Sequence, residues 1–265
     1  MVCAGVESFG ARSAPAPDRS FIMVRFRPKE TLVGSTYGRA AWIINVMRAL
    51  AKHACASVAV AAVLAVSPVA ASDEAVIVAF GDSLTAGYGL QDADSFPVRL
   101  EAKLAEDGIP ARVINSGVSG DTTAGGKARL AWSLPETRPD LVILELGAND
   151  GLRGIDPAEM EANLDAMLAE LGRRDIPVLL AGMLAPPNLG REYAERYNAA
   201  FPRQAKKHDV AFYPFFLDGV AADPALNQPD GLHPNASGVA RIVERIAPYV
   251  AKALDASAPQ SPSGS

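Results

Sequence analysis

Four short stretches of this chain bring together residue types that can do chemistry: Gly81-Asp82-Ser83-Leu84, Asn115-Ser116-Gly117-Val118-Ser119-Gly120-Asp121, Gly147-Ala148-Asn149-Asp150 and Asp230-Gly231-Leu232-His233-Pro234. Acyl transfer needs a hydroxyl nucleophile, a base to take its proton, a group that orients the base, and donors for the developing oxyanion. Ser83 can supply the hydroxyl, with the small Gly81 letting the backbone turn tightly before it. His233 is the better placed of the two histidines downstream of residue 71, the other being His208. Asp230, three residues before His233, can curl back to the second ring nitrogen, fix its tautomer and stabilise the imidazolium. The N–H groups of Ser83 and Gly120 and the side-chain amide of Asn149 make three candidate oxyanion donors. Taken singly, each stretch has an ordinary reading as a loop, a turn or a helix cap. In chain order, and each at the end of an expected element, they read as one site.

The elements that must position these residues are legible as short apolar runs alternating with helical patterns, which is the signature of a parallel sheet covered on both faces by helices. Strands are expected at Ala75 to Phe80, Ala111 to Asn115, Leu141 to Leu146, Val178 to Met183 and Ala211 to Tyr213, each apolar on both faces. Asp156-Pro157-Ala158-Glu159 offers an N-cap, an N1 proline and a capping-box glutamate. Met160, Leu164, Met167, Leu168 and Leu171 follow on one helical face, with Gly172 near the end. A helix from about Ser95 carries Leu100 and Leu104 and ends at Gly108. The last helix opens near Asn235 with Val239, Ile242, Val243, Ile246 and Val250 in register, and Pro248 is expected to kink or shorten it. In open parallel sheets ligands sit beyond the carboxyl ends of the strands, so the loops that begin at Gly81, Ser116, Gly147, Leu184 and Pro214 carry the site.

Other polar residues near these stretches have simpler duties. Gly117 competes with Gly120 as an oxyanion donor but reads as a turn requiring positive φ. Asp82 shapes the nucleophile turn by binding backbone amides. His208 reads as a solvated surface residue, and Asp121 and Asp150 as caps of the segments that follow them. Glu145, inside an apolar run, reads as a strand-end polar residue, with a supporting role behind the site as the alternative.

The stretches VAFGDSLTAGYGL, VINSGVSGDTTAGGKARL, LVILELGANDGLRGIDP and DGLHPN resemble the GDSL or SGNH hydrolase superfamily, over about Ala75 to Asp255. The likeness is to its periplasmic multifunctional branch of thioesterase I, arylesterase and lysophospholipase enzymes. It implies a flavodoxin-like three-layer α/β/α sandwich around an approximately five-stranded parallel sheet. It further implies a catalytic set of Ser83, Asp230 and His233, an oxyanion hole of Ser83, Gly120 and Asn149, and an acyl-enzyme on Ser83. The family's Ser-Gly-Asp triplet places the glycine role on Gly120 rather than Gly117. Gly151, Leu152, Ile155 and Pro187 border the expected site and are candidates for binding the substrate, a small-molecule acyl ester or thioester. No metal or cofactor is implied.

Composition narrows the alternatives. Residues 1 to 71 hold eight Lys/Arg and three Asp/Glu, so the remaining 194 residues carry a net charge of −10. Such an acidic body disfavours nucleic acid as a partner, since phosphate binding needs a basic face. Only Cys3 and Cys55 occur, both before Ser72, so disulfides and cysteine zinc sites are excluded from the downstream part. Arg48 and Lys52 ahead of the apolar run Ala54 to Val66, then Val69-Ala70-Ala71, describe a signal peptide over 47–71, cleaved after Ala71 for export to the periplasm with no stable membrane span left. Residues 1–46 read as a non-folding extension or as lying upstream of a start at Met47, residues 72–255 as the catalytic domain, and 256–265 as a disordered tail. The rival readings are a carbohydrate O-deacetylase on the same fold and a non-catalytic phosphate or nucleotide binder. The second lacks G-x-x-x-x-G-K-[ST] and leaves Asp230 and His233 unexplained. No G-x-S-x-G occurs around any serine, which disfavours an α/β-hydrolase. Oligomeric state is not legible in these residues.

Overall fold

Five runs rich in Val, Ile, Leu and Ala form the strands of one sheet, because a chain segment apolar on both faces is stable only between two covering layers. In the computed structural model, residues 74–257 are described. They hold β1 (Ala75–Gly81), β2 (Ala111–Gly117), β3 (Leu141–Glu145), β4 (Val178–Ala181) and β5 (Ala211–Tyr213), all parallel, in the order β2-β1-β3-β4-β5. The expectations for residues 1–46 and 47–71, and for the tail beyond Ser257, fall outside the described residues. Helices α1 (Ser83–Ala86), α2 (Phe96–Glu106), α3 (Thr123–Ser133), α4 (Ala148–Leu152), α5 (Pro157–Arg173), α6 (Arg191–His208) and α7 (Ala236–Ser257) complete the chain order. Packing α2 with α7, and α5 with both α3 and α6, builds the two layers that enclose the sheet. The protein is a three-layer α/β/α sandwich.

The central strands β1, β3 and β4 are buried nearly throughout. The expectation that every strand is apolar on both faces fails for the two edges. In β2, Arg112 and Asn115 are exposed, because an edge strand has one side free of neighbours and its ends project past the covering helices. In β5, Ala211 and Phe212 are only partly covered for the same reason. The apolar stripes of α5 and α7 are buried at each expected position. Asp156 caps α5 by accepting from Ala158 N at 2.9 Å, but Glu159 does not close a capping box, and the Asp156 carboxylate turns to Arg196 instead. Helix α7 is capped by Asn235, whose Oδ1 accepts from Ser237 and Gly238 N at 3.0 Å, and it runs on through Pro248 to Ser257 rather than being shortened there.

The chain moves outward from β1 to β2 and then crosses to β3 on the other side, so a crevice opens between the carboxyl ends of β1 and β3. The register makes this junction tight. Gly81 at the end of β1 faces Gly117 of β2 on one side and Glu145 of β3 on the other. A Cβ on Gly81 would lie 2.1 Å from Thr85 Oγ1 and 2.6 Å from Glu145 Oε2. Gly117 also owes its identity to close approach: its φ is not positive, and a Cβ there would lie 2.3 Å from Ala86 N. The positive-φ reading of Gly117 is therefore replaced by a packing one.

One buried cation ties these strand ends. Arg129 on α3 lies with its guanidinium 3.9 Å from the Phe80 ring centroid. It donates to Gly81 O at 2.9 Å, Ser116 O at 3.0 Å, Ser133 Oγ at 3.3 Å and Asp121 Oδ2 at 2.7 Å. Asp121 is thus an ion-pair partner, not the cap expected of it; Thr122 caps α3. Both side chains of the pair are about nine-tenths buried. Removing one partner strands a buried charge and two carbonyls, so Arg129→Ala should lower unfolding free energy by about 3–5 kcal/mol. Urea unfolding of the two proteins measures this, and a loss below 1 kcal/mol would refute the assigned role.

Candidate active site

Ser83 opens α1 directly after β1. Asp82 is its N-cap, accepting from Leu84 N at 2.9 Å, and Gly87 closes the single turn at φ +82°. This sharp strand-to-helix reversal sets the Ser83 side chain at the carboxyl edge of the sheet, buried to within 9 % of full cover. His233 arrives from the segment before α7, where Asn227 and Pro234 form an isolated antiparallel bridge and Gln228 N donates to His233 O at 2.7 Å. Its Nε2 lies 2.9 Å from Ser83 Oγ, and its Nδ1 lies 2.6 Å from Asp230 Oδ2. Asp230 Oδ1 accepts from the backbone N–H of Leu232 at 2.9 Å and of His233 at 3.0 Å. These amides, with the His233 ring, hold the Asp230 carboxyl down at about 2. It is therefore an anion at any working pH, available to pair with an imidazolium.

Asn149 lies in the first turn of α4, which Gly147 enters at φ +120°. A side chain at Gly147 would meet Phe201 at 2.9 Å, and Tyr197 fixes the same residue by donating its hydroxyl to Gly147 O at 2.7 Å. Asn149 Nδ2 donates one hydrogen to Asp82 Oδ2 at 3.0 Å, which turns the amide toward Ser83 and leaves its second N–H for another acceptor. Gly120 sits at φ +82° in the loop between β2 and α3, and its N–H makes no bond within the described residues. Its carbonyl accepts from Arg153 Nη2 at 2.8 Å, tying that loop to the end of α4. Asp150 adds a second tie. It accepts from Thr123 N at 2.9 Å and Thr123 Oγ1 at 2.6 Å, so it braces the start of α3 rather than capping the segment that follows it.

Beneath the Ser83 turn lie two buried carboxyls. Glu145 is fully enclosed; its Oε2 accepts from Thr85 Oγ1 at 2.8 Å and from Asp82 N at 3.4 Å, and its Oε1 has no partner among the described residues. It is the last residue of β3, as expected, and it also supports the Ser83 turn from behind. Burial, then the neighbouring charge of Asp82, pushes its carboxyl well above the ordinary range. Burial also raises Asp82, to about 6, against the lowering bonds from Leu84 N and Asn149. His208 is likewise not a free surface group; its Nε2 pairs with Asp165 at 2.6 Å across α5 and α6.

An apolar cavity of about 440 Å³ opens beside Ser83 and His233. Leu152 and Pro187 line it as expected from the sequence, together with Met183, Leu184, Phe215 and Leu217. Gly151 and Ile155 do not. Gly151 is packed where a Cβ would come within 3.0 Å of Pro186, and Ile155 offers its carbonyl to Tyr193 at 2.7 Å. The sequence did place the loops after β4 and β5 at the site, beginning with Leu184 and Pro214, but did not single out Phe215 and Leu217 within the second. They lie beyond the shortest strand, and only the sheet order brings them alongside β4.

A hydroxyl, an imidazole and a carboxylate bonded in line at the carboxyl edge of a parallel α/β/α sandwich define the class of the serine hydrolases. Residues 79–241 match the pattern of the GDSL-like lipase/acylhydrolase family. Among curated relatives, Esterase TesA of Pseudomonas aeruginosa is 39% identical over 202 residues, which is 76% of this chain and 97% of that protein. Thioesterase 1/protease 1/lysophospholipase L1 of Escherichia coli K12 is 39% identical over 166 residues, 63% of this chain and 77% of that protein. The crystal structure of AlinE4, an SGNH-hydrolase family esterase, is 51% identical, with a TM-score of 0.59 over 69% of this chain and 97% of that one. The chain belongs to the GDSL-like lipase/acylhydrolase family and is a serine esterase.

The raised carboxyls give this site a pH signature. Asp82 binds a proton more tightly folded than unfolded, so its contribution favours the fold at low pH and is lost as pH rises from about 3.8 to about 6. Asp82→Asn carries no such titration. The stability of Asp82→Asn relative to the parent protein should therefore climb through that window and level off above it, as read by denaturant unfolding at a series of pH values. A pH-independent difference would contradict the burial assigned to Asp82.

Proposed function

We propose that Ser83 is the nucleophile, His233 the general base and then acid, and Asp230 the anion that orients His233. The observation that carries this reading is the continuous line of hydrogen bonds from Asp230 Oδ2 through both ring nitrogens to Ser83 Oγ, at 2.6 and 2.9 Å. His233 Nε2 takes the Ser83 proton as Oγ attacks the acyl carbonyl, and Asp230 stabilises the imidazolium so formed. The backbone N–H groups of Ser83 and Gly120 and the free amide hydrogen of Asn149 receive the oxyanion. On collapse the C–O or C–S bond breaks, and His233 gives its proton to the departing alcohol or thiol. Water, activated by His233, then releases the acid and restores Ser83. None of these steps asks for a metal or cofactor.

The acyl group occupies the cavity lined by Leu152, Leu184, Pro187, Phe215 and Leu217. An apolar space of about 440 Å³ is far larger than an acetyl group needs. It favours acyl esters and thioesters, lysophospholipid included, over a carbohydrate deacetylase, whose acyl pocket need hold only a methyl. Gly151 and Ile155 support the walls from behind instead of touching substrate. The enzyme acts after export to the periplasm: the sequence of 47–71 supports this, and no helix among the described residues is long and apolar enough to cross a membrane.

Two experiments test this. The first treats the protein recovered from cells expressing the full chain with a fluorophosphonate and measures intact mass. One adduct on a chain starting near Ser72 is expected, absent in Ser83→Ala, and an adduct that persists in the mutant would move the nucleophile elsewhere. In steady-state hydrolysis of p-nitrophenyl esters, Asn149→Ala should lower kcat about 10²- to 10³-fold with KM little changed, as for loss of one oxyanion donor. The second compares p-nitrophenyl acetate and octanoate: Leu184→Glu should lower kcat/KM for the octanoate more than for the acetate, since a charge on the apolar cavity wall must lose water to meet the longer chain. Equal losses would take the acyl chain out of this cavity.

A further inference from the structure

The leaving group must depart past His233, because the ring nitrogen that took the Ser83 proton also hands it on. One flank of that imidazole borders the apolar cavity, through Gly231 and Leu232. Against the ring itself lies Tyr88, with centroids 4.6 Å apart and planes inclined at 39°. Tyr88 does not line the cavity, and 54% of it is exposed. Its position is nonetheless fixed. Its N–H donates to Ser83 O at 3.1 Å, its carbonyl accepts from Gln228 Nε2 at 2.7 Å, and Gly87 and Gly89 on either side take positive φ to make the turn that brings it there. A large aromatic ring on a pinned backbone, open to water and touching the proton donor, presents a flat surface where a departing group emerges.

We propose that Tyr88 is a specificity-determining residue on the leaving-group side, whose ring stacks aromatic leaving groups and favours aryl esters over alkyl esters of the same acid. This rests on the roles given above to Ser83 and His233. In the step concerned the Ser83 Oγ–carbon bond has formed and the oxyanion collapses. The bond from carbon to the aryl oxygen breaks with its electron pair as His233 Nε2 passes its proton to that oxygen. Acyl-Ser83 and a neutral phenol result, the phenol lying against Tyr88.

The test compares 2-naphthyl butyrate with ethyl butyrate, which share an acyl group and therefore the cavity and the deacylation step. Steady-state kcat/KM, which reports acylation, is measured for the parent enzyme, Tyr88→Leu and Tyr88→Phe. Tyr88→Leu should lower the naphthyl-to-ethyl ratio of kcat/KM about five- to tenfold, the size of one aromatic stack, and Tyr88→Phe should keep the parent ratio. 2-Naphthol should inhibit the parent enzyme more strongly than Tyr88→Leu by a similar factor. A ring that serves only to steady His233 gives the opposite pattern. Ethanol is the poorer leaving group and needs the proton most, so the ratio would stay level or rise, and either result overturns the proposal. A parent enzyme that hydrolyses neither butyrate would instead overturn the esterase mechanism on which the proposal stands.

Discussion

The buried guanidinium of Arg129 is the interaction on which the site depends. Three chain segments meet beside Ser83: the end of β1, the end of β2, and the loop that runs through Gly120 to Asp121. Each ends in backbone carbonyls or a carboxylate that burial would leave unpaired. Arg129 answers them together, bonding Gly81 O, Ser116 O and Asp121 while its plane lies over Phe80. A lysine could not do this, because its single ammonium lacks the planar fork that reaches several acceptors at fixed angles. The close contacts of Gly81 and Gly117 follow from the same convergence, since any side chain there would force the strand ends apart.

Three carboxyls near Ser83 show how environment assigns different duties to one functional group. Asp230 is exposed to two backbone amides and the imidazole, and stays anionic. Asp82 is enclosed but has two donors, and it uses them to hold the turn and aim the Asn149 amide. Glu145 is enclosed with a hydroxyl and one long amide contact, and burial pushes its carboxyl well above the ordinary range. Burial raises both Asp82 and Glu145, so the fold disfavours two full negative charges side by side beneath Ser83.

The two sides of His233 are built differently. On one side lies the apolar cavity, lined by Leu152, Leu184, Pro187, Phe215 and Leu217. Tyr88, which does not line that cavity, meets the ring from a short glycine-flanked turn that hangs directly off the Ser83 helix, so the turn that carries Ser83 also carries the aromatic neighbour of His233.

Much of this was determined by the sequence alone. Apolar runs alternating with helical stripes require a covered parallel sheet, and Asp-x-x-His places a carboxylate and an imidazole within reach of each other through local turn geometry. The helix stripes of α5 and α7 needed only periodicity. Tertiary structure decided what depends on residues far apart in the chain. Asp121 reads as a cap until the register of β1 and β2 sets Arg129 between two carbonyls and makes Asp121 its partner. Glu145 reads as a strand-end polar residue and is one, but only the central place of β3 in the sheet buries it under the Ser83 turn. Gly151 and Ile155 follow Asn149 closely and were expected at the substrate, but α4 turns them away, and the sheet order brings Phe215 and Leu217 in instead. Local sequence specifies backbone turns and amphipathic faces because those depend on neighbours a few residues away. Which side chains share a buried space depends on strand order and register, which are settled only when the whole core packs.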